Sequence, residues 1–400
     1  MVTVQEAFRI VQSVTGKPGV EEVDIVTSTG RVLAESIYAD RDFPPFNRVA
    51  MDGIAVQADK FKTRGQVFPI EDIQAAGSPP LILKDQNNCI EVMTGSVLPK
   101  NTNAVIRYED LEIKDGKAKI LVEKIERGMN IHPQSQDAKQ GEVLLMAGKK
   151  ISAAEVALLA SIGKKSVYVF AFPRTAVVSS GDELVEIDEV PELHQIRKSN
   201  SYTLQAAMKE MGWKSESFHL TDDKELVKKN LRTILEIDDV LILSGGVSKG
   251  KFDFIPEALE ELGIKKLFHQ VSQRPGKPFW FGASADKTKI VFALPGNPVS
   301  TFLCFHKYIK PWIMNCFGVS SKHITARLAA DVIFAPPLTY FLQVRTELKD
   351  GMLLAHPKGG GGSGDFANLK DVDGFLELPL EKSAFNAGEA YPLISFRSIV

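Results

Sequence analysis

Polar, glycine-containing turns follow three apolar runs of this chain, and the side chains in these turns are of types that bind phosphate. One of these runs, Val240–Leu243, ends at a Ser-Gly-Gly turn that is followed by Ser248 and Lys249. Because Gly245 and Gly246 lack a Cβ, main-chain N–H groups can approach an anion closely there. Free N–H groups beside hydroxyl and ammonium donors indicate a phosphate-binding turn.

The same turn fits part of the Walker A loop, G-x-x-x-x-G-K, through Gly245, Gly250 and Lys251. Phe252 occupies the next position, where a Ser or Thr hydroxyl would hold magnesium. The pattern therefore lacks the atom that does this chemistry. A P-loop nucleotidase is kept as an alternative, and so is a tight strand-to-helix connection that binds nothing.

The other two turns and two further segments have the same polar character. They are Ser180 with Gly181, Asp182 and Glu183; Pro295 with Gly296, Asn297, Pro298 and Ser300; Ser199-Asn200-Ser201; and Arg274-Pro275-Gly276-Lys277. In an open α/β sheet, ligands bind outside the carboxyl ends of the strands, so we expect these segments to lie together. Helix N-termini and cations there would hold an anion.

Carboxylates accompany these basic groups. Asp182, Glu183 and Asp253 would repel a phosphate directly, so their presence predicts a bridging Mg²⁺ ion. Each residue also has a purely structural explanation, such as a helix cap or a turn. Five polar turns at one sheet edge are harder to explain that way, and they predict a phosphorylated or nucleotidyl ligand.

The elements that must position these turns alternate between strands and helices, which predicts a central parallel α/β sheet. They are the strands Thr175–Ser180, Val240–Leu243 and Ile290–Leu294, and the helices Asn200–Met211, Ile255–Leu262 and Val299–Cys316.

Outside this domain, Thr3 with Glu6 and Ser152 with Glu155 form possible capping boxes for two helices. Short β-rich runs between Phe68 and Glu126 predict a β insert, and the β-like runs after Gly318 predict a small C-terminal β domain. The predicted boundaries are 1–45 with 145–172 for an interrupted helical domain, 46–144 for the insert, 173–318 for the α/β domain and 319–400 for the last.

Composition excludes several classes of protein. The chain has 400 residues, of which 44% are hydrophobic and 24% charged, with a formal charge of −2, so we expect a globular protein and no nucleic-acid partner. Cys89, Cys304 and Cys316 show no C-x-x-C spacing, which favours a reducing cytoplasm. No histidine pair has the spacing of zinc ligands. No apolar run is long enough to span a membrane, and no export signal is expected.

A set of motifs in a fixed order resembles the molybdopterin molybdenumtransferases, which are the MoeA proteins of bacteria and the E domain of gephyrin. The motifs are PPFNRVAMDGIAV, MTGSVLPKNTNAVIRYED, GMNIHPQSQDAKQGEVLL, SSGDELVE, SNSYTL, SGGVSKGKFD, RPGKPFWFG and LPGNPVSTF, and the resemblance extends over nearly the whole chain.

The resemblance implies an elongated homodimer of four-domain subunits, with a pterin-binding α/β domain and a barrel-like C-terminal domain. It also implies the reaction, in which adenylated molybdopterin and molybdate give molybdenum cofactor and AMP with the help of Mg²⁺. Transient contacts with a molybdopterin adenylyltransferase and with apo-molybdoenzymes are further expectations, whereas a membrane partner is not expected.

The resemblance further implies site residues. Asp52, Asp137, Glu183 and Asp253 would be catalytic, and all of these except Asp137 would bind the metal. Arg274, Lys277, Ser300, Arg345 and Ser363 would bind molybdate. The pterin-binding residues would be Thr94, Gly95, Ser180, Gly181, Asp182, Asn200, Ser201, Gly245, Gly246, Ser248, Pro295, Gly296 and Asn297. Asp52, Thr94, Gly95 and Asp137 would line the cleft from the β-rich side, from the partner subunit.

The chain departs from the family pattern at several positions. Val49 and Ile54 replace a Ser and a Tyr, which removes hydrogen-bonding groups from the loop that contains Asp52. Ser180 replaces a Thr and Arg274 a Lys, while Lys251 lies where an acidic residue is common. Three alternatives stay open: a molybdopterin adenylyltransferase-like paralogue, a tungsten-specific paralogue, and a non-catalytic scaffold.

Overall fold

The computed structural model describes residues 1–221, 223–246, 254–320, 324–359 and 362–398. The chain forms two compact units, one from Met1–Ala34, Gly148–Ser152 and Ser166–Val400, and the other from Glu35–Ala147 and Ala153–Lys165. Across the described ranges, no helix combines the length and the apolar character needed to cross a membrane.

The first part of the chain is mostly β structure between two short helices. In chain order its elements are α1 (Val4–Ser13), β1 (Gly19–Asp24), β2 (Ile37–Tyr38), β3 (Arg48–Val49), β4 (Gly53–Val56), β5 (Val67–Gln74), β6 (Cys89–Val92), β7 (Ala104–Arg107), β8 (Leu111–Lys114), β9 (Lys117–Ile120), β10 (Ile131–His132), β11 (Val143–Leu145), α2 (Ala153–Ser161) and β12 (Ser166–Ala171). A six-stranded sheet, ordered β7-β4-β6-β5-β9-β8, is the predicted β insert.

The predicted cap of the first helix is confirmed. The Thr3 hydroxyl accepts a hydrogen bond from the Glu6 N–H at 3.2 Å, and the Thr3 N–H donates to the Glu6 carboxylate at 2.8 Å. This reciprocal capping box satisfies two of the N–H groups that a helix start leaves without partners. The second helix begins at Ala153, directly after the predicted cap residue Ser152.

The middle of the chain alternates between strands and helices. Its elements are β13 (Thr175–Ser180), β14 (Leu184–Val185), β15 (Ile196–Arg197), α3 (Asn200–Lys209), β16 (Glu216–Leu220), α4 (Lys224–Ile237), β17 (Val240–Ser244), α5 (Ile255–Glu261), β18 (Lys265–His269), β19 (Gln273–Arg274), β20 (Trp280–Ala283), β21 (Ile290–Leu294), α6 (Pro298–Cys304), a π-helical turn (Phe305–Ile309) and α7 (Lys310–Cys316).

The central sheet has the strand order β16-β13-β17-β21-β20-β18. The first four strands are parallel, as predicted, whereas β20 and β18 pair antiparallel and the sheet is mixed. The connection 284–289 joins β20 to β21, and it is far shorter than the roughly dozen residues that a parallel crossover needs. Two further elements of this region, β16 and α4, were not predicted.

The apolar run of β17 is explained by burial on both faces of the sheet. Val240 and Ile242 belong to one hydrophobic cluster, and Leu241 and Leu243 belong to another on the opposite face. A strand that is covered on both sides has no solvent-facing positions, so its sequence shows no polar alternation. All five residues of the strand are buried.

The C-terminal region is a small closed barrel. Its elements are β22 (Ile324–Leu328), β23 (Val332–Ile333), β24 (Thr339–Lys349), β25 (Met352–Pro357), a 3₁₀ helix (Phe366–Asp371), β26 (Gly374–Leu378), β27 (Ala384–Phe385) and β28 (Ala390–Ser395). The order β24-β25-β22-β28-β26 closes because β26 also pairs with β24. β19 of the preceding region pairs with β24.

Candidate functional site

The three polar turns lie side by side at the carboxyl edge of the parallel strands. β17 is the neighbour of both β13 and β21, and its last residue, Ser244, pairs with Ser179 on one side and Leu294 on the other. The three strands therefore end level with one another. The predicted convergence of these turns is confirmed.

A cavity of about 570 Å³ opens at this edge. It is lined by Ser179, Ser180, Gly181, Glu183, Leu184, Ile196, Arg197, Lys198, Ser199, Asn200, Ser201, Ser244, Gly245, Gly246, Pro278, Pro295, Gly296, Asn297, Pro298 and Gly364. Ten residues assigned to the site from the sequence are among them: Ser180, Gly181, Glu183, Asn200, Ser201, Gly245, Gly246, Pro295, Gly296 and Asn297.

Gly245 allows two of the turns to approach closely. Its φ is +97°, and a Cβ on this residue would lie 2.8 Å from the carbonyl oxygen of Ser180. Gly296 is in ordinary contact with Gly245 on its other side, 3.7 Å from the Gly245 Cα to the position of a Gly296 Cβ. Backbone, and not side chain, thus forms the floor between the three strand ends.

Asn200 joins two of these turns to the start of α3. Its side-chain N–H groups donate to the Ser244 hydroxyl at 2.8 Å and to the Gly296 carbonyl at 2.6 Å. Ser199, the residue before the helix, makes no capping hydrogen bond with its side chain. The first N–H groups of α3 therefore have no cap from Ser199, and such groups favour an anion.

Glu183 is the acidic residue that lines the cavity. Its carboxylate is folded against Gly181, where a Cβ would lie 2.3 Å from a Glu183 oxygen, so this conformation requires glycine at 181. Within the described part of the chain, the Glu183 carboxylate has no hydrogen-bond or ion-pair partner. Asp182 is an exposed residue of the same turn.

Two cations of the cavity were missed by the sequence analysis. Arg197 and Lys198 reach it because β14 and β15 pair in parallel, Leu184 with Ile196 and Val185 with Arg197. This pairing returns the chain to the carboxyl end of β13 after a long loop. The available signal was the position of the two basic residues directly before the Ser-Asn start of α3.

The residues assigned to molybdate are placed differently from one another. Arg274, Lys277 and Arg345 are exposed, and Ser300 is 2% exposed inside α6; none of the four lines the cavity. Ser363 accepts a hydrogen bond from the Asn297 side chain at 2.7 Å, and its carbonyl accepts from the Val299 N–H at 3.2 Å. Ser363 therefore holds the C-terminal region against the third turn.

The remaining predicted residues belong to the other compact unit. There, the Asp52 carboxylate accepts the Thr94 N–H at 2.6 Å, beside Gly95. This backbone hydrogen bond, with a second from the Thr94 side chain, holds the pKa of Asp52 below its usual value. Ser248 and Asp253, also assigned to the site, lie outside the described residues.

Asp137 is hydrogen-bonded to a histidine that the sequence analysis did not single out. His132 Nδ1 lies 3.0 Å from an Arg48 nitrogen, and because a guanidinium only donates, Nδ1 is the acceptor. The Nε2–H of His132 then donates to Asp137 at 2.9 Å. Arg48 and His132 face each other on paired strands, which explains the alignment.

The departures at Val49 and Ile54 have a structural explanation. Both residues are fully buried in hydrophobic clusters of the β-rich unit. Val49 lies in β3 and Ile54 in β4, on either side of the turn that contains Asp52, so both side chains contribute apolar packing next to that turn. Asp52 keeps its hydrogen bond from Thr94 in this setting.

The described residues contain no cluster of three or more His, Cys, Asp or Glu side chains that could hold a metal ion alone. A magnesium ion commonly takes one or two protein carboxylates and completes its shell with substrate phosphates and water. The partner-free carboxylate of Glu183, in a cavity with anion-binding groups, fits that mode.

Together these features define a multidomain α/β protein with a polar ligand cavity at the carboxyl edge of its sheet. Residues 2–163 match the MoeA N-terminal region (domain I and II), residues 176–315 a probable molybdopterin binding domain, and residues 325–396 the MoeA C-terminal region (domain IV).

Relatives that match over nearly their whole length belong to the same family as these three regions. The molybdopterin molybdenumtransferase of Synechocystis sp. is 40% identical over 399 residues, covering 99% of this chain and 100% of that protein. Its counterpart in Staphylococcus epidermidis is 30% identical over 405 residues, covering 98% and 95%. The molybdopterin biosynthesis MoeA protein from Pyrococcus horikoshii superposes over 100% of both chains with a TM-score of 0.83 and 31% identity. The chain belongs to the molybdopterin molybdenumtransferase family, whose members are transferases of molybdenum cofactor biosynthesis, and the three alternatives are not favoured.

Proposed function

We propose that this chain transfers molybdenum from molybdate into adenylated molybdopterin, releasing AMP and molybdenum cofactor. The observation that supports this most directly is the cavity at the carboxyl edge, where glycine backbone, a helix N-terminus, two cations and one carboxylate meet. This set suits a phosphate-bearing ligand. The relatives that match over their whole length bear the name of this activity.

The cavity residues would bind and orient the ligand. The Gly246 backbone and the first N–H groups of α3 would hold phosphate oxygens, since fixed dipoles stabilise the charge of the transition state without reorganising. The Gly245 N–H donates to the Leu294 carbonyl at 3.2 Å, so Gly245 would contribute close approach of the backbone and not a hydrogen bond. Asn200 would keep the second and third turns at a constant spacing through its hydrogen bonds to Ser244 and Gly296. No covalent intermediate with the protein is needed.

Glu183 would hold Mg²⁺ together with the ligand's phosphates, and Asp52 and Asp253 are further proposed ligands. When bound, the ion would neutralise negative charge on the phosphates during cleavage. The Thr94 N–H keeps Asp52 ionised, because its hydrogen bond favours the charged form of the carboxyl group.

Molybdate is a dianion and would be held by Arg274, Lys277 and Arg345 with the hydroxyls of Ser300 and Ser363. Asp137 would act in the same reaction from the β-rich unit. We also propose that the protein acts as a homodimer in the cytoplasm, and that it receives its substrate from a molybdopterin adenylyltransferase and delivers the product to apo-molybdoenzymes.

The test is AMP release from adenylated molybdopterin with Mg²⁺, measured with molybdate, with tungstate, and with neither oxyanion. We expect AMP release to depend on molybdate and to yield cofactor that activates an apo-molybdoenzyme. Release that requires only tungstate would instead show a tungsten-specific enzyme. Consumption of ATP with molybdopterin, without use of either oxyanion, would show an adenylyltransferase.

A further inference from the structure

Lys198 lines the cavity and forms an ion pair with a neighbouring carboxylate. Its side chain is only 10% exposed, and its ammonium contacts the Glu186 carboxylate at 2.5 Å. Glu186 is 48% exposed and also accepts a hydrogen bond from the Tyr202 hydroxyl at 3.5 Å. This pair lowers the pKa of Glu186, so the carboxylate is ionised and the pair is a true ion pair.

The charge of Lys198 affects a neighbouring histidine, His219, next to the cavity. Burial lowers the pKa of His219, and the nearby Lys198 ammonium lowers it further. His219 in turn lies 3.4 Å from the hydroxyl of Ser179, which lines the cavity. Lys198 thus lines the cavity close to His219, with Glu186 as its anionic partner.

Among the described residues, the cations that line the cavity are Arg197 and Lys198. Arg197 is exposed, and its Nε donates to the Glu189 carbonyl at 3.1 Å, outside the anion-binding turns. Lys198 is the more buried of the two, and it directly precedes Ser199, whose side chain does not cap α3. An ammonium on a flexible stem next to helix N–H groups is suited to a phosphate group.

We propose that Lys198 is a phosphate-binding residue of this cavity, and that Glu186 occupies its ammonium until the ligand's phosphate replaces it. The inference rests on the proposed function only in taking a phosphorylated ligand. Binding would exchange one anion for another, so that the ammonium is never left without a partner in a partly buried place. Glu186, which is half exposed, would be released to solvent at small cost.

A change at Glu186, the anion that competes with the ligand's phosphate, distinguishes a phosphate-binding role of Lys198 from a purely structural one. Glu186→Gln removes the anion that Lys198 must leave, so we expect AMP to bind several-fold more tightly to this variant. Lys198→Gln should weaken AMP binding about tenfold, since a charge-assisted hydrogen bond is lost. Lys198→Arg keeps the charge and should retain most of the binding.

The experiment is calorimetric titration of the full chain with AMP, and with adenosine as the probe that lacks the phosphate. Adenosine binding should not change in any variant. Lys307→Gln is the matched control, because Lys307 is also a mostly buried lysine in an ion pair, with Glu377 at 2.6 Å, and does not line this cavity. Thermal unfolding of each variant reports folding separately.

Weaker AMP binding in Lys198→Gln together with tighter binding in Glu186→Gln supports the proposal. Equal AMP affinity in Lys198→Gln and the unaltered protein would overturn it, and so would weaker binding in a folded Glu186→Gln protein or no AMP binding by the unaltered protein. Failure of the proposed function is distinct: AMP release would be absent while Lys198-dependent AMP binding persists.

Discussion

Two cavities lie at opposite edges of the same sheet, and the larger one has the weaker claim to be a ligand site. The cavity at the amino edge measures about 650 Å³ and is lined by Arg174, Asp239, Asp286 and Trp312 among others, against about 570 Å³ at the carboxyl edge. Volume therefore does not distinguish them. The state of their polar groups does.

At the amino edge, both carboxylates that line the cavity have partners. Asp239 contacts Arg174 at 3.4 Å and Lys289 at 3.5 Å, and Asp286 accepts hydrogen bonds from Ser284 and from Thr288. At the carboxyl edge, in the described part of the chain, Glu183 has no partner and Ser199 leaves the start of α3 uncapped. Among the described residues, the two edges are therefore distinguished by a cavity-lining carboxylate without a partner, and not by cavity size.

The largest effect that separates the two edges is expected from Glu183→Gln. It removes the partner-free charge of the carboxyl edge with little change of shape, so AMP release should fall about 10²-fold or more. The matched change at the amino edge, Asp239→Asn, should leave AMP release unchanged. Steady-state rates for both proteins test this, and equal rates for Glu183→Gln and the unaltered protein would contradict the assignment of Glu183.

Gly245→Ala should have the next largest effect. Its Cβ would lie 2.8 Å from the Ser180 carbonyl, and the displaced turn should reduce kcat/KM for AMP release about 10²-fold. Gly263→Ala is the control, because Gly263 also has a positive φ, +85°, but open space around its Cβ. Both variants should lose about 1 kcal/mol of stability from the left-handed conformation. A similar loss of activity in both would show that backbone strain, and not the approach of the turns, matters.

A smaller effect is expected from Asn200→Ala, which removes the two hydrogen bonds that join the turns to α3. The KM for adenylated molybdopterin should rise about tenfold while kcat changes little. The reason is that the turns would be held less firmly, while the groups that contact the ligand would all remain. Asn315→Ala, which loses one side-chain hydrogen bond to the Gln12 carbonyl at 3.2 Å, should leave KM unchanged. A fall in kcat alone would assign Asn200 to the chemical step.

The smallest effect concerns stability at the amino edge. Asp238 is 3% exposed with one carboxylate oxygen unpartnered, and burial raises its pKa above the usual 3.8. A raised folded pKa means that ionised Asp238 costs stability above that pKa and none below about pH 3.8, where both states are protonated. Asp238→Asn should therefore raise the free energy of unfolding at pH 7 by about 1 kcal/mol, as measured by denaturant titration, with unchanged AMP release. An advantage that persists unchanged at pH 3 would show a cause other than ionisation.

Much of the central fold could be predicted from local patterns. The strands Thr175–Ser180 and Ile290–Leu294 occur with the predicted bounds, and α3 begins at the predicted Asn200. The strand β16 was missed because an edge strand with mixed polarity gives no continuous apolar run. The helix α4 was also missed, although its buried residues Val227, Leu231 and Ile234 recur at helical spacing. The strand β20 was not predicted either, although its antiparallel direction follows from the short connection 284–289 to its neighbour β21.

Some residues of the site could likewise be predicted from local patterns, and others could not. The glycine turns and the residues around Asn200 were predictable, because the carboxyl ends of parallel strands share one edge. Lys198 and Arg197 were not predicted, since they reach the cavity through the pairing of β14 with β15. Val49 and Ile54, noted as departures in a ligand-contacting turn, proved to be buried packing residues.

The sequence by itself determined that this chain has a strand-helix α/β region with polar turns for a phosphorylated ligand, because hydrophobic periodicity and turn composition are local properties. Only the tertiary structure decided which charges enter the cavity: Lys198 does, whereas Arg274 and Lys277 lie outside its lining. The physical reason is that a charge acts over a few ångströms in space, and the distances between side chains are determined by non-local strand pairing.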